Sequence, residues 1–307
     1  MLRRHLSLRA QHLARTHGLL HDESPGTSPV VLFGRDDQGR HGNFHPATYA
    51  NICANQDWLR RLAKVHTASR RSRARKDCRW MELDSSNSSD ALLMNIFCHP
   101  EVFDGTTLSA PVATLLNVDP AAYLCFGAHP GVPLRTTLKP RSNKSTVREA
   151  LDRTEIDLTL GNLFIEAKLT ESDFQTAAPS LIERYRDLDT VFDVDRLPRK
   201  LLVAPTLPPN LDPDDPTVNL PARPTRVRIA GYQLIRNVLA AFSADASFCV
   251  LCDARRHDLI ETWYGVLSTV YSPTFACRLK LLTWQELCAT LPPDLQSFLD
   301  TKYGITP

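Results

Sequence analysis

The chain has 307 residues, 43% apolar and 23% charged, with 36 Lys and Arg against 34 Asp and Glu. That is enough apolar material for one large or two small globular domains. No run reaches the ~18 apolar residues of a membrane helix, so a soluble protein with no membrane partner is expected.

The small net charge hides two basic blocks. Nine Lys or Arg stand against one acid between Arg60 and Arg79, and five stand against none between Arg135 and Arg148. Such blocks suit a polyanion, because Lys and Arg neutralise phosphates and release counterions. For the Arg70–Lys76 run a solubilising loop fits equally well. Eight cysteines without a small-scaffold pattern predict reduced thiols in a cytoplasmic protein.

In chain order, Met1–Arg15 reads as a basic helix and His21–Asn43 as a loop or loose strand. Pro46–Val65 has helical spacing. The polar cluster Ser85–Ser89 supplies N-caps for a helix beginning near Ser88 or Ser89. Thr146-x-x-Glu149 matches a capping box and predicts a short helix before Thr154. Strands follow at Glu155–Leu160 and Leu163–Leu169, then a helix within Asp173–Leu188 and a strand at Lys200–Ala204. Seven prolines make 205–224 an exposed excursion. Ile229–Phe242 is an amphipathic helix, Ser247–Asp253 a buried strand, His257–Val270 a helix and Arg278–Trp284 a last strand. The alternation after Thr146 indicates an α/β core. Residues 1–80 read as an N-terminal basic, partly helical extension, and 81–307 as the main domain.

The chemistry concentrates between Glu155 and Lys168. Gly161-Asn162 between two alternating runs is a two-residue hairpin signal. That turn pairs Leu160 with Leu163, Leu158 with Ile165 and Ile156 with Ala167, which makes one face apolar. On the other face Thr159 meets Phe164, Asp157 meets Glu166 and Glu155 meets Lys168. Two carboxylates directly opposite repel unless something offsets them. A hard divalent cation does, and Mg²⁺, with Mn²⁺ as a substitute, favours carboxylate oxygens while keeping waters. Lys168 on the same face is placed to stabilise charge developing on a phosphate or to orient water. A solvated face with a Glu155–Lys168 surface pair is the plainer alternative, and it leaves Asp157 against Glu166 unexplained.

At these residues the chain resembles the PD-(D/E)XK, restriction-endonuclease-like nucleases: Asp157 matches the first acid and Glu166-Ala167-Lys168 the tripeptide, with Ile156 in place of the proline. The resemblance implies a mixed central sheet flanked by helices and metal-dependent hydrolysis of phosphodiester bonds in DNA. Asp157 and Glu166 would be the metal ligands and Lys168 the catalytic amine. It also implies an extra acid on a preceding helix, for which Glu149 is the matching position. On the helix after Tyr232, Gln233 and Arg236 would be phosphate or site-lining contacts.

A narrower resemblance joins Leu83–Ser86, Asn95–Phe97, Arg153–Asp157, Tyr232–Asn237, Leu282–Leu287 and Lys302–Gly304. These look like the restriction-endonuclease-like family named as associating with ARP proteins. It implies partner proteins of a defence or DNA-processing system, and many such nucleases form homodimers. A catalytically silent nucleic-acid-binding or assembly subunit of the same fold is the alternative.

Other signals are discounted. Cys249-x-x-Cys252 lies in an apolar strand with no second pair at zinc spacing. His41 and His45 are separated by Gly42 and Asn43, against a helical H-x-x-x-H site. Asp300-Thr301-Lys302 fits D/E-x-K by chance. No phosphate loop, dinucleotide fingerprint or serine elbow is present.

Overall fold

The computed structural model of the chain describes residues 2–25, 29–65, 80–138, 148–203 and 225–307. The basic N-terminal helix is α1 (Leu2–His17), with Leu6, Ala10, Leu13 and Ala14 buried on one face. β1 (His21–Glu23) and β2 (Val31–Phe33) pair antiparallel. The helical run from Pro46 divides into α2 (Pro46–Ala54) and α3 (Gln56–Leu62). Between them, the Asn55 side chain accepts from the amides of Asp57 and Trp58 and caps α3. The Arg70–Lys76 run lies outside the described residues.

The Ser/Asn cluster starts α4 (Ser89–Phe97) where expected. Ser88 is the N-cap, its Oγ accepting from the Ala91 amide at 3.1 Å. Next come α5 (Ala110–Leu116), β3 (Leu124–Ala128), β4 (Gly131–Leu138), β5 (Arg148–Arg153), β6 (Ile156–Leu160) and β7 (Leu163–Ala167). The helix expected from the Thr146–Glu149 pattern is instead strand β5. It pairs antiparallel with β4, Leu151 opposite Pro133 and Glu149 opposite Thr137. A capping box stabilises one local turn, whereas the ladder to β4 also buries Val132 and Ala150. The long-range gain overrides the local preference.

Of the helix expected within Asp173–Leu188 a short piece forms, the four-residue α6 (Pro179–Ile182), with β8 (Thr176–Ala177) before it and α7 (Leu188–Val191) after it. Gln175 at φ +62° and Pro179 break any continuous helix there. β9 (Arg199–Val203) and β10 (Thr225–Ala230) complete a small antiparallel sheet, β8-β10-β9. The proline-rich excursion between them falls outside the described residues.

α8 (Tyr232–Ser243) begins three residues later than its apolar spacing suggests, because Ile229 and Ala230 finish β10. Gly231 makes the turn at φ +72°, where a Cβ would come within 2.8 Å of Val266 Cγ2. The rest is β11 (Ser247–Cys252), α9 (His257–Leu267), α10 (Pro273–Ala276), β12 (Leu279–Thr283), α11 (Trp284–Cys288) and α12 (Pro293–Tyr303).

The central sheet has five strands in the order β12-β11-β7-β6-β3. β12, β11 and β7 are parallel, β6 runs antiparallel to β7, and the edge strand β3 runs antiparallel to β6. This is the mixed, helix-flanked α/β sheet that the sequence implied. Both faces are covered. Leu158, Leu160, Ile165, Ala167, Cys249 and Leu251 join one core with α4. Ile156, Phe164, Phe248, Val250 and Cys252 join a second with α8 and α9. Cys249 and Cys252 are thus buried on opposite faces, their thiols pushed up to about 12 by burial, as structural cysteines should be. Leu6, Tyr49, Ile52 and Trp58 share the first core with Leu287 and Tyr303. Among the described residues no helix is long and apolar enough to cross a membrane.

Candidate active site

The hairpin register is the one read from the turn: Leu160↔Leu163, Thr159↔Phe164 and Leu158↔Ile165. Of the two turn residues, Gly161 alone has positive φ, +56°, the pattern of a type II′ turn. Beyond Leu158↔Ile165 the Ala167 amide donates to Asp157 Oδ2 at 2.9 Å. The carboxylate therefore sits where the strands part. Ile156 was expected to stay with Leu158 on one face and instead packs with Phe164 in the second core, since β6 turns away at this point.

Glu166 and Lys168 are almost fully buried, at 1% and 7% exposure. Lys168 Nζ donates to Glu166 Oε1 at 2.7 Å. Gln233 Nε2, from the first turn of α8, donates to the same oxygen. Asn237 Nδ2, one turn on, donates to Oε2 at 2.8 Å, while Asn237 Oδ1 accepts from Thr154 Oγ1 at 2.7 Å. Spacing of i and i+4 on α8 thus places two amides over one carboxylate. Asn237 is fully buried against Glu166.

Lys168 is fixed from behind as well. Its amide donates to Leu251 O at 2.8 Å, and Trp284 Nε1 donates to its carbonyl at 2.9 Å. Trp284 was read as the end of a strand. It opens α11 instead, through a Thr283–Glu286 capping box that turns the indole inward.

Burial first, then the charges of Glu166 and Asp90, push the Asp157 carboxyl well above its usual range. Burial also raises Glu166, against the pull of Lys168. For Lys168, burial favours the neutral amine, but Glu166, Glu171 and Asp157 together outweigh it and keep the ammonium charged. Hydrogen bonds to a charged group stabilise by about 1.5–3 kcal/mol each. Taking a carboxylate and an ammonium out of water costs several kcal/mol per ion. The cluster therefore does little for the fold, and its arrangement calls for a chemical reason.

Glu155 and Lys168 do not form the surface pair considered above. Glu155 accepts from Arg61 at 2.9 Å and lies 3.0 Å from Lys64 Nζ. Both cations also bind Asp90, in the first turn of α4. Arg61 and Lys64 of the first basic block are thus engaged by acids, as Arg60 is by Asp57 at 2.9 Å. Glu149, expected as an extra acid on a preceding helix, lies on strand β5 opposite Thr137 instead. The helix that motivated the assignment does not exist, and its side chain is outside the described residues. An acid on an earlier helix that does act on the hairpin is Asp90, whose charge helps to raise Asp157 and Glu166. Glu171, which accepts from Ser89 Oγ at 2.6 Å and from the Leu169 amide at 2.7 Å, is a further acid near Lys168. Sequence reasoning missed both, although the predicted start of α4 at Ser88 already placed Asp90 in its first turn.

Arg236 stacks over the Tyr232 ring at 5.3 Å, and its buried Nε has no partner among the described residues. It stands one residue before Asn237, on the helix that covers Glu166. Lys302, of the discounted Asp300-Thr301-Lys302, is buried elsewhere and donates to Asn43 O at 2.5 Å.

A hard cation suits these residues. Asp157 accepts one protein hydrogen bond among those described, so its other oxygen is open. The charge of Glu166 acts on it, and burial raises both carboxyls against the pull of Lys168. Two carboxylates completed by water is a donor set that Mg²⁺ accepts.

The family described as Restriction Endonuclease associating with ARP aligns with residues 7–304. No curated protein matches the chain. No solved structure matches it either. The match spans both cores, the hairpin and α8, and the chain belongs to the family of restriction endonucleases associating with ARP.

Proposed function

We propose that this protein is a Mg²⁺-dependent nuclease that hydrolyses phosphodiester bonds in DNA. The observation that carries the reading is the meeting of Asp157, Glu166 and Lys168 at the parted end of one hairpin, with both acids raised and the amine held charged. Asp157 and Glu166 would hold the ion, which when bound supplies Lewis-acid charge neutralisation and a more acidic water. Gln233 and Asn237 keep Glu166 aimed by donating to its two oxygens. Lys168, anchored at its amide and carbonyl, presents a fixed positive charge to a phosphate losing its bond. Arg236, partly exposed on α8 between Gln233 and Asn237, is the contact for a backbone phosphate. The family's description names association with ARP, so an ARP protein is the proposed partner of this chain.

Purified protein should nick or cut plasmid DNA with Mg²⁺ or Mn²⁺ and stop with chelator. Lys168→Ala should lose cutting by at least about 100-fold while remaining folded by circular dichroism. Equal cutting by that variant removes Lys168 from the chemistry. Salt-dependent DNA binding without uptake of Mg²⁺ would favour the assembly-subunit alternative.

A further inference from the structure

A second cluster of ligand-type side chains lies on elements that carry none of Asp157, Glu166 and Lys168. His45 is the N-cap residue of α2, His99 follows α4, and Asp294 is in the first turn of α12. One ligand atom from each of the three falls within 4.8 Å of the others. Asp294 Oδ2 is 3.7 Å from His45 Nε2 and 3.6 Å from His99 Nε2. These separations are too long for hydrogen bonds. They lie close to the ~3.3–3.4 Å between ligand atoms of a tetrahedral ion with bonds of about 2.0–2.1 Å.

The second observation is the burial. His99 is 1% exposed, and its Nε2 has no hydrogen-bond partner among the described residues. A buried imidazole nitrogen aimed at a carboxylate it does not reach is costly unless something lies between them. The two imidazole rings sit 5.0 Å apart, and the backbone of His45 is pinned by the Asn95 side chain, which accepts from its amide at 2.7 Å. Asp294 is half exposed, so the site has an opening to solvent.

We propose that His45, His99 and Asp294 form a transition-metal site of the zinc class, with water in the fourth position, which ties α2 and the end of α4 to the start of α12. Two imidazoles and one carboxylate suit zinc, whereas Mg²⁺ prefers an all-oxygen set such as the hairpin acids. Burial, and then the neighbouring His99, hold the His45 imidazole below its usual value against the pull of Asp294, so the ligating neutral form dominates at pH 7. Ligation through His99 Nε2 moves the ring proton to Nδ1 and gives up a long contact, 3.3 Å, from the Glu101 amide. The metal–nitrogen bond replaces it.

The test uses full-length, chelator-treated protein in an Asp157→Asn background, which removes the hairpin site without touching this one. Titration with Co²⁺ should give one equivalent of tetrahedral visible bands with no thiolate charge-transfer band, displaced by Zn²⁺. Zn²⁺ should raise the melting temperature. Changes around a metal ligand alone cost about 10–100-fold in affinity, so His99→Gln and Asp294→Asn should each lose more than about 100-fold. Asp294 is half exposed, so its variant keeps the test decisive if His99→Gln fails to fold. Absence of the bands, a thiolate band, or bands unchanged in Asp294→Asn overturns the proposal.

Discussion

Replacing Asn237 with Asp changes one atom group and inverts the electrostatics around Glu166. The wild-type amide donates to Glu166 Oε2 at 2.8 Å and accepts from Thr154 at 2.7 Å. In Asn237→Asp the acceptor toward Thr154 survives, and the donor becomes a second carboxylate against the first. Loss of one hydrogen bond to a charged group costs about 1.5–3 kcal/mol. An uncompensated buried charge costs about 3–5 kcal/mol in all, and the larger figure applies here because neither acid has solvent to turn to. With an m-value of about 3 kcal/mol/M, the urea midpoint should fall by about 1–2 M at pH 7.5. The sign with pH follows from the raised carboxyl that burial beside Glu166 imposes on the new Asp. The native state then holds a proton that the unfolded chain has released, so the penalty grows as pH climbs above about 4 and vanishes below it. Urea melts of wild type and variant at pH 4 and 7.5 check both points. Equal midpoints at pH 7.5, or a gap that widens toward pH 4, would refute the geometry given for Glu166.

Asp157→Asn should raise the melting temperature of metal-free protein at pH 7.5. Asp157 is held above its usual value, so its ionisation opposes folding as pH rises, and the gain should disappear near pH 4. The same variant should lose stabilisation by Mg²⁺, which for wild type reaches about 2.7 kcal/mol at a hundred times Kd. A variant less stable than wild type without metal contradicts the repulsion argument. Arg236→Gln should weaken DNA binding evenly across sequences and reduce the slope of log affinity against log salt by about 1. An unchanged slope removes Arg236 from the phosphate contacts.

The turn at Gly161 was legible because a hairpin is local: two residues set the register, and the register sets which side chains converge. Helix α4 was legible for a similar reason, since a serine cap is read within one turn. What escaped depends on distant chain. Glu149 carried a valid local pattern that pairing with β4 overrode. Asp90, Glu171 and Asn237 gained their roles from packing between segments far apart in sequence, and no spacing rule announces that. Lys168 was placed on the correct face, but its partner is Glu166, its neighbour but one, and not Glu155. The expected pairing fails because Arg61 and Lys64 claim Glu155 first.

The strand that bears Glu166 and ends one residue before Lys168, β7, has a neighbour on each side, β6 and β11. A segment bonded along both margins opens only with the whole domain, so its amides should be among the slowest to exchange with deuterium. In the proposed nuclease, adjustment to a different nucleic acid therefore falls to what can shift around it, notably Arg236, and diversity within the family should gather there, with Glu166, Lys168, Gln233 and Asn237 held constant.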